Sequence, residues 1–310
     1  MRHPLPLAAA LALLALPGRA EVPDVVTDMP VVHSLVSLVL GDLGDPMLLL
    51  DKGADAHDFQ LRPSQIRALN GAALIVWIGP EMTPWLDRAI ASADGPRSLA
   101  LLDLPGTVLR TGQDEDDHGA GMADDQDQDH DHGHDHGGLD PHAWLDPDNA
   151  ALWIGRISDA LVDLDPGNAV AYRANASIAQ TRIETLDRAL RERLAPAADA
   201  GLMVAHDAYG YFAEHYGLKI VASLAEGDAT TPGAAHLAGL RAALESGAVT
   251  CIFPEAARDP APVSTLAEGT SVRIGRPLDP AGRAMGPGPE LYPALLTTMG
   301  EAIADCVAGD

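Results

Sequence analysis

Basic residues are scarce. Lysine and arginine together number 20 against 45 aspartates and glutamates, a formal net charge of −25 over 310 residues. Such a chain has no basic face for a phosphate backbone, so nucleic acid is excluded as a partner and a cation is the complementary ligand. Long apolar runs are missing as well. The one present, in "MRHPLPLAAALALLALPGRA", is about a dozen residues long, short of the roughly 20 that span a bilayer. With the early Arg2 and the small Gly18 and Ala20, residues 1–20 read as a secretory signal peptide cleaved after Ala20. No cysteine stands at that point to carry a lipid, so the expected mature protein is exported and soluble.

Cysteine is nearly absent. Cys251 and Cys306 are the only two, and in an oxidising compartment an even pair predicts a disulfide. The hydrolase signatures HExxH and GxSxG are absent, and no internal repeat is evident beyond a shared alternation of element types.

What is present is hydrophobic content of 47%, enough for two compact domains. In the first, "VVTDM", "MLLLD" and "ALIVWIG" read as strands, with "VVHSLVSLVLG" and "PSQIRALNG" as helices between them. Such alternation predicts a parallel sheet covered by helices. From Gln113 to Gly138 the composition falls to Asp, His, Gly and Gln, which cannot pack a core; it reads as a solvated loop inserted in the domain. "HAWLDPDNAALWIGRISDALVDLDP" carries another helix. The stretch Asn168–Leu194 then lacks Gly and Pro, is bracketed by Pro166 and Pro196, and places Ile178, Ile183, Leu186, Leu190 and Leu194 at near-helical spacing. It reads as a rigid connector.

Beyond it "GLMVAH", "KIVASL", "VTCIF" and "TSVRIG" read as strands, and "AYGYFAEHYG", "GAAHLAGLRAALESG" and Glu290–Val307 as helices. The expected architecture is therefore α/β in two lobes, each a mainly parallel sheet flanked by helices. The N-terminal lobe occupies 21–166, the connector helix 167–196 and the C-terminal lobe 197–310.

Four metal-capable side chains fall at strand ends or in the loops after them, where open α/β sheets place ligand sites. His57 stands in "KGADAHDFQLRPSQI", His142 in "LDPHAWLDP", His206 in "MVAHDAYGYF" and Asp279 in "RIGRPLDPAG", two in each lobe. Three imidazoles and one carboxylate complete a tetrahedral zinc set. His33, His215 and His236 lie on helical runs and read as structural histidines. His118, His130, His132, His134 and His136, flanked by aspartates, offer auxiliary weak, rearranging metal sites.

Taken in order, "GADAHDFQLRPSQI", "DPHAWLDPDNA", "AHDAYGYFAEHYGLK", "CIFPEAA" and "PLDPAG" resemble the periplasmic metal-binding proteins of ABC importers, the cluster A-I solute-binding proteins, and within them the zinc-uptake, ZnuA-type branch. The resemblance covers essentially the whole mature chain. It implies two lobes joined by one long helix, metal in the cleft between them, and His57, His142, His206 and Asp279 as ligands. Manganese-binding relatives usually carry a carboxylate where His206 stands, so a third imidazole points to Zn(II). Some zinc-branch members have a glutamate just before the first histidine; here Ala56 stands there, which leaves Asp279 as fourth ligand, with Asp55 or water as competitors.

The implied function is high-affinity capture of Zn(II) and its delivery to an ABC permease, without catalysis. A periplasmic zinc metallochaperone is a further partner to consider, and a monomer is expected. Two other classes use the same residues: an exported metal buffer or adhesin without a transporter, and a zinc hydrolase with Asp279 as base.

Overall fold

The structure is a computed structural model, and it describes residues 22–50, 52–57, 59–92, 97–111, 138–225 and 233–309. The signal-peptide stretch and the five histidines from His118 to His136 lie outside the described residues. No helix among those described is long and apolar enough to cross a membrane.

The N-terminal lobe begins with β1 (Val25–Thr27), α1 (Pro30–Leu40), β2 (Met47–Leu48), α2 (Pro63–Gly71), β3 (Leu74–Trp77), α3 (Pro84–Ala91) and β4 (Arg97–Ala100). Its four strands run parallel in the order β2-β1-β3-β4. β1 and β3 are buried at every residue, as the central strands of a sheet covered on both faces must be. α1 starts on Pro30, whose missing N–H is no loss in a first turn, and stops at Gly41 with φ 55, a left-handed value that glycine tolerates. Asp28 closes β1 and accepts the N–H groups of Met29 at 2.7 Å and Ile78 at 2.9 Å. Burial lifts its carboxyl to about 7 despite those bonds.

After the inserted segment come α4 (Pro147–Leu164) and α5 (Ala169–Leu194). The 26 residues of α5 make a rod of about 39 Å. Its buried residues are Tyr172, Ala176, Ala179, Ile183, Leu190 and Leu194, whereas Ile178 is 68% exposed. Ile178 therefore lies off the packed side of the helix. At about 100° per residue, a position five before Ile183 lies on a different face, and the small alanines carry the packing instead.

The C-terminal lobe repeats the pattern with β5 (Gly201–His206), α6 (Gly210–Tyr216), β6 (Lys219–Ala225), α7 (Ala234–Glu245), β7 (Cys251–Ile252), α8 (Ala261–Ala267), β8 (Arg273–Ile274) and α9 (Leu291–Ala308). Its strand order, β6-β5-β7-β8, is again parallel. Cys251 on β7 and Cys306 on α9 form a disulfide.

α9 packs against both α5 and α1, so the last helix of the chain reaches back to the first lobe. At its crossing with α5, a Cβ on Gly300 would meet Leu190 Cδ2 at 2.5 Å, so any larger residue there would push the Leu190 side chain aside. The main apolar core runs through both lobes without a break, and a smaller cluster around Met203, Leu240 and Ile252 belongs to the second. Buried hydrogen bonds cross the same boundary. Ser34 Oγ accepts the Tyr292 N–H at 3.0 Å, Tyr292 donates its hydroxyl to the Trp144 carbonyl at 2.8 Å, and Trp144 Nε1–H reaches the Pro280 carbonyl at 2.7 Å.

Candidate metal centre

Strand ends of the two sheets face each other across a cavity of about 20 Å³, room for roughly one water-sized body and none for an organic ligand. His57, His142 and His206 line it together with Asp55, Glu255 and Arg283; Met29, Leu50, Met82 and Ala281 supply an apolar wall.

His57 sits in the loop between β2 and α2. Its backbone N–H donates to Asp55 Oδ1 at 2.9 Å, and the next residue back is pinned where Trp85 Nε1–H donates to the Ala56 carbonyl at 2.7 Å. Asp55 thus serves the turn that presents His57. Arg283 of the other lobe donates to the Gly53 carbonyl at 2.9 Å, tying this loop across the cleft.

His142 lies just before the turn into α4. Its backbone N–H and its ring Nδ1 meet the same oxygen, Asp140 Oδ1, at 3.0 Å and 2.9 Å. His206 ends β5 and is 2% exposed, and its Nδ1 faces Glu255 Oε2. Ring centres of His142 and His206 are 5.7 Å apart, and those of His57 and His142 are 6.4 Å apart. Two imidazoles bound through nitrogen to one tetrahedral zinc at about 2.0–2.1 Å place their centres roughly 5 Å apart, and both of these separations are somewhat longer.

Asp279 is buried and follows Leu278, which bridges to Glu255. Its carboxylate accepts the N–H groups of Arg283 at 2.8 Å and Ala284 at 2.9 Å. Burial pushes its pKa up, against the pull of those N–H groups, and the charge of Glu255 adds to the rise. Asp279 itself does not line the cavity, while its neighbours Pro280 and Ala281 do. A carboxylate with two lone pairs left over can still turn toward an ion that enters.

Glu255 was missed by the sequence reading. It stands in "FPEAA", quoted above only as part of a resemblance, and nothing in its local spacing couples it to His206. Its side chain is 2% exposed, with Oε1 taking a hydrogen bond from Arg258 Nε at 3.0 Å. Ala257, beside it, has φ 63, an uncommon conformation for a residue with a side chain, in the turn that aims this segment.

His33 and His236 each meet a protein oxygen. The first packs in α1 with its Nδ1 3.4 Å from Ser37 Oγ, and the second meets the Ser223 carbonyl at 3.0 Å through Nε2. His215 lies in a denser setting. Its Nδ1 is 3.0 Å from Asp146 and 4.0 Å from Asp148, and its Nε2 is 2.7 Å from Asp187. Among the described residues, Asp146, Asp148 and His215 are the group whose metal-capable atoms already lie within 4.8 Å of one another. That compactness reflects a proton. An imidazole between carboxylates on both nitrogens donates from both, and although burial opposes it, Asp146 and Asp187 hold the His215 pKa above its usual value.

Two parallel-sheet lobes braced by a long helix, with imidazoles from both converging on an ion-sized cavity, define the class of two-lobed metal-binding receptors. The family model for "Zinc-uptake complex component A periplasmic", ZnuA, matches residues 25–306, and the chain belongs to that family. It is 47% identical over 326 residues to the high-affinity zinc uptake system protein ZnuA of Paracoccus denitrificans, covering 99% of this chain and 98% of that one. The protein of the same description from Brucella suis is 33% identical, covering 95% and 94%. Among solved structures, the solute-binding protein FpvC of Pseudomonas aeruginosa in complex with Mn2+ superposes with a TM-score of 0.76 at 22% identity, covering 93% of this chain and 99% of that one. A crystal structure of ZnuA superposes at 0.73 with 24% identity, covering 92% and 98%. The structural likenesses establish the fold.

Proposed function

We propose that this protein captures Zn(II) in the periplasm with high affinity and hands it to the membrane permease of an ABC importer. The observation that carries the reading is the convergence of His57, His142 and His206, drawn from both lobes, on one cavity of about 20 Å³. Three neutral imidazoles and one carboxylate suit zinc better than manganese, which favours a harder, oxygen-rich set. Asp279 is the fourth ligand, moving from its backbone-held position to the ion. Family membership supports a binding role over catalysis.

The finer points of the proposal are a signal peptide removed after Ala20, a monomer in solution and a metallochaperone among the donors. The histidines at 118, 130, 132, 134 and 136 serve as weak capture sites that release quickly to the tight one. A net charge of −25 supports capture, since a negative field raises the local concentration of a divalent cation.

The test is His206→Ala, with zinc affinity read by competition against a chromophoric chelator. The tight site weakens by more than about 100-fold, beyond the range for loss of an outer-sphere partner. Wild-type affinity in that variant would overturn the assignment of the site.

A further inference from the structure

Two of the cavity's histidines are held in the same way, one from each lobe. In the first lobe Arg110 lies 3.9 Å from Asp140 Oδ2, and Asp140 Oδ1 lies 2.9 Å from His142 Nδ1. In the second, Arg258 Nε lies 3.0 Å from Glu255 Oε1, and Glu255 Oε2 faces His206 Nδ1. The side chains of Asp140 and Glu255 are 15% and 2% exposed. Each unit reads arginine, carboxylate, imidazole, and both imidazoles line the cavity.

An ionised carboxylate only accepts hydrogen bonds, so the imidazole nitrogen that faces it must carry the ring proton. In the neutral ring, Nδ1–H leaves the Nε2 lone pair bare, the state a divalent cation requires. Without the carboxylate a neutral imidazole exchanges between two tautomers, one of which presents N–H to the ion. Arg258 gives Glu255 a balancing charge and a hydrogen bond that fixes the acceptor, while Arg110, at 3.9 Å, gives Asp140 a balancing charge. The two carboxylates also place negative charge behind neutral ligands, which increases their basicity toward a cation.

We propose that Asp140 and Glu255 are paired positioning residues, one in each lobe, that lock His142 and His206 as Nδ1–H tautomers and so preset the cavity for its ion. The proposal rests on His142 and His206 being ligands. It assigns a role to two residues that the ligand set does not include, and it makes preorganisation a shared property of the two lobes.

The experiment uses the full chain and Zn(II) itself. Long-range 1H–15N spectra of the metal-free wild type show His142 and His206 as Nδ1–H tautomers; Nε2–H at both rings overturns the proposal whatever the variants do. Glu255→Gln and Asp140→Asn each weaken tight zinc binding by about 10–100-fold, the range for loss of an outer partner to a ligating histidine. In a His206→Ala background, Glu255→Gln adds no further loss, because the carboxylate acts through that ring. A merely structural role for Glu255 gives the same loss in both backgrounds and overturns the proposal. Affinity within twofold of wild type in both Glu255→Gln and Asp140→Asn also overturns it. These outcomes separate from failure of the ligand assignment, which shows in the single variant His206→Ala. Should Glu255→Gln fold poorly by its metal-free melting temperature, Asp140→Asn in the other lobe carries the same test.

Discussion

A histidine that holds its proton is as informative as one that gives it up. His215 on α6 is wedged between Asp146, which caps α4, and Asp187 on α5, with Asp148 at 4.0 Å and Arg191 close by. Its raised pKa means that the folded state binds the proton more tightly than the unfolded chain. Its stabilising contribution is therefore complete below the unfolded value near 6.5 and fades as pH rises through the folded value. His215→Gln is expected to destabilise by about 3 kcal/mol at acid pH, as a broken buried ion pair does, and by progressively less toward alkaline pH. Urea unfolding of both proteins between about pH 5.5 and 8.5 measures this, and a penalty that grows with pH would show that His215 folds in as the neutral ring.

The same residue marks what sequence can and cannot convey about a site. His57 and His206 were legible because one follows a strand and the other ends one, and strand ends of a parallel sheet converge on one edge; His142 was legible from its place just ahead of a helix. The partners that orient them were not. Asp140 sits two residues from His142 and was visible only as half of a turn, while Glu255 reaches His206 solely because β7 lies beside β5. Likewise, His215 read as one more helical histidine until the fold brought Asp146 and Asp187 to its two nitrogens.

At the scale of elements, the long buried runs were readable and the short edge pieces were not. "ALIVWIG" contains β3, four buried residues in a row, and a continuous apolar run has few alternatives. β4 (Arg97–Ala100) was not foreseen, since its first two residues are exposed and it pairs on one side only. α8, at seven residues, is too short for periodicity to declare itself. "TSVRIG" shrinks to the two exposed residues of β8, an edge strand whose length depends on pairing with β7 rather than on its own pattern. β8 and α9 are both held to β7, the helix by the Cys251–Cys306 bond that closes 55 residues of chain. On the chain-entropy model that closure stabilises by about 4 kcal/mol. Cys306→Ser should lower unfolding stability by that amount in denaturant titration while leaving zinc affinity within about twofold, because neither cysteine lines the cavity. Equal stability of the two proteins would show that the α9 packing, not the covalent link, secures this end of the molecule.

For the whole molecule the question is how a tightly held ion leaves. A wide hinge would have to tear a core that runs unbroken through both lobes, together with the buried Ser34, Tyr292, Trp144 and Pro280 bonds that cross between them. Packed interiors of this kind switch between discrete arrangements rather than deform smoothly, and α5 braces the two sides along about 39 Å. The loop that carries His57 is cheaper to move. Among the described residues, the Trp85 bond to Ala56 and, across the cleft, the Arg283 bond to Gly53 tie it to the rest. Breaking the Arg283 link frees the one histidine whose loop is not part of a strand or the turn of a long helix, and opens the coordination sphere without moving a sheet. Metal release is therefore expected to proceed by loosening of residues 52–62, with a smaller response around 138–142, while β3 and β7 stay closed. Amide exchange should be faster in those two segments of the metal-free protein and equally slow in the two strands of both forms, and X-ray scattering should give the same radius of gyration with and without zinc. A change in that radius accompanied by uniform exchange at 52–62 would mean that the lobes part after all, and that the shared core is weaker than its burial implies.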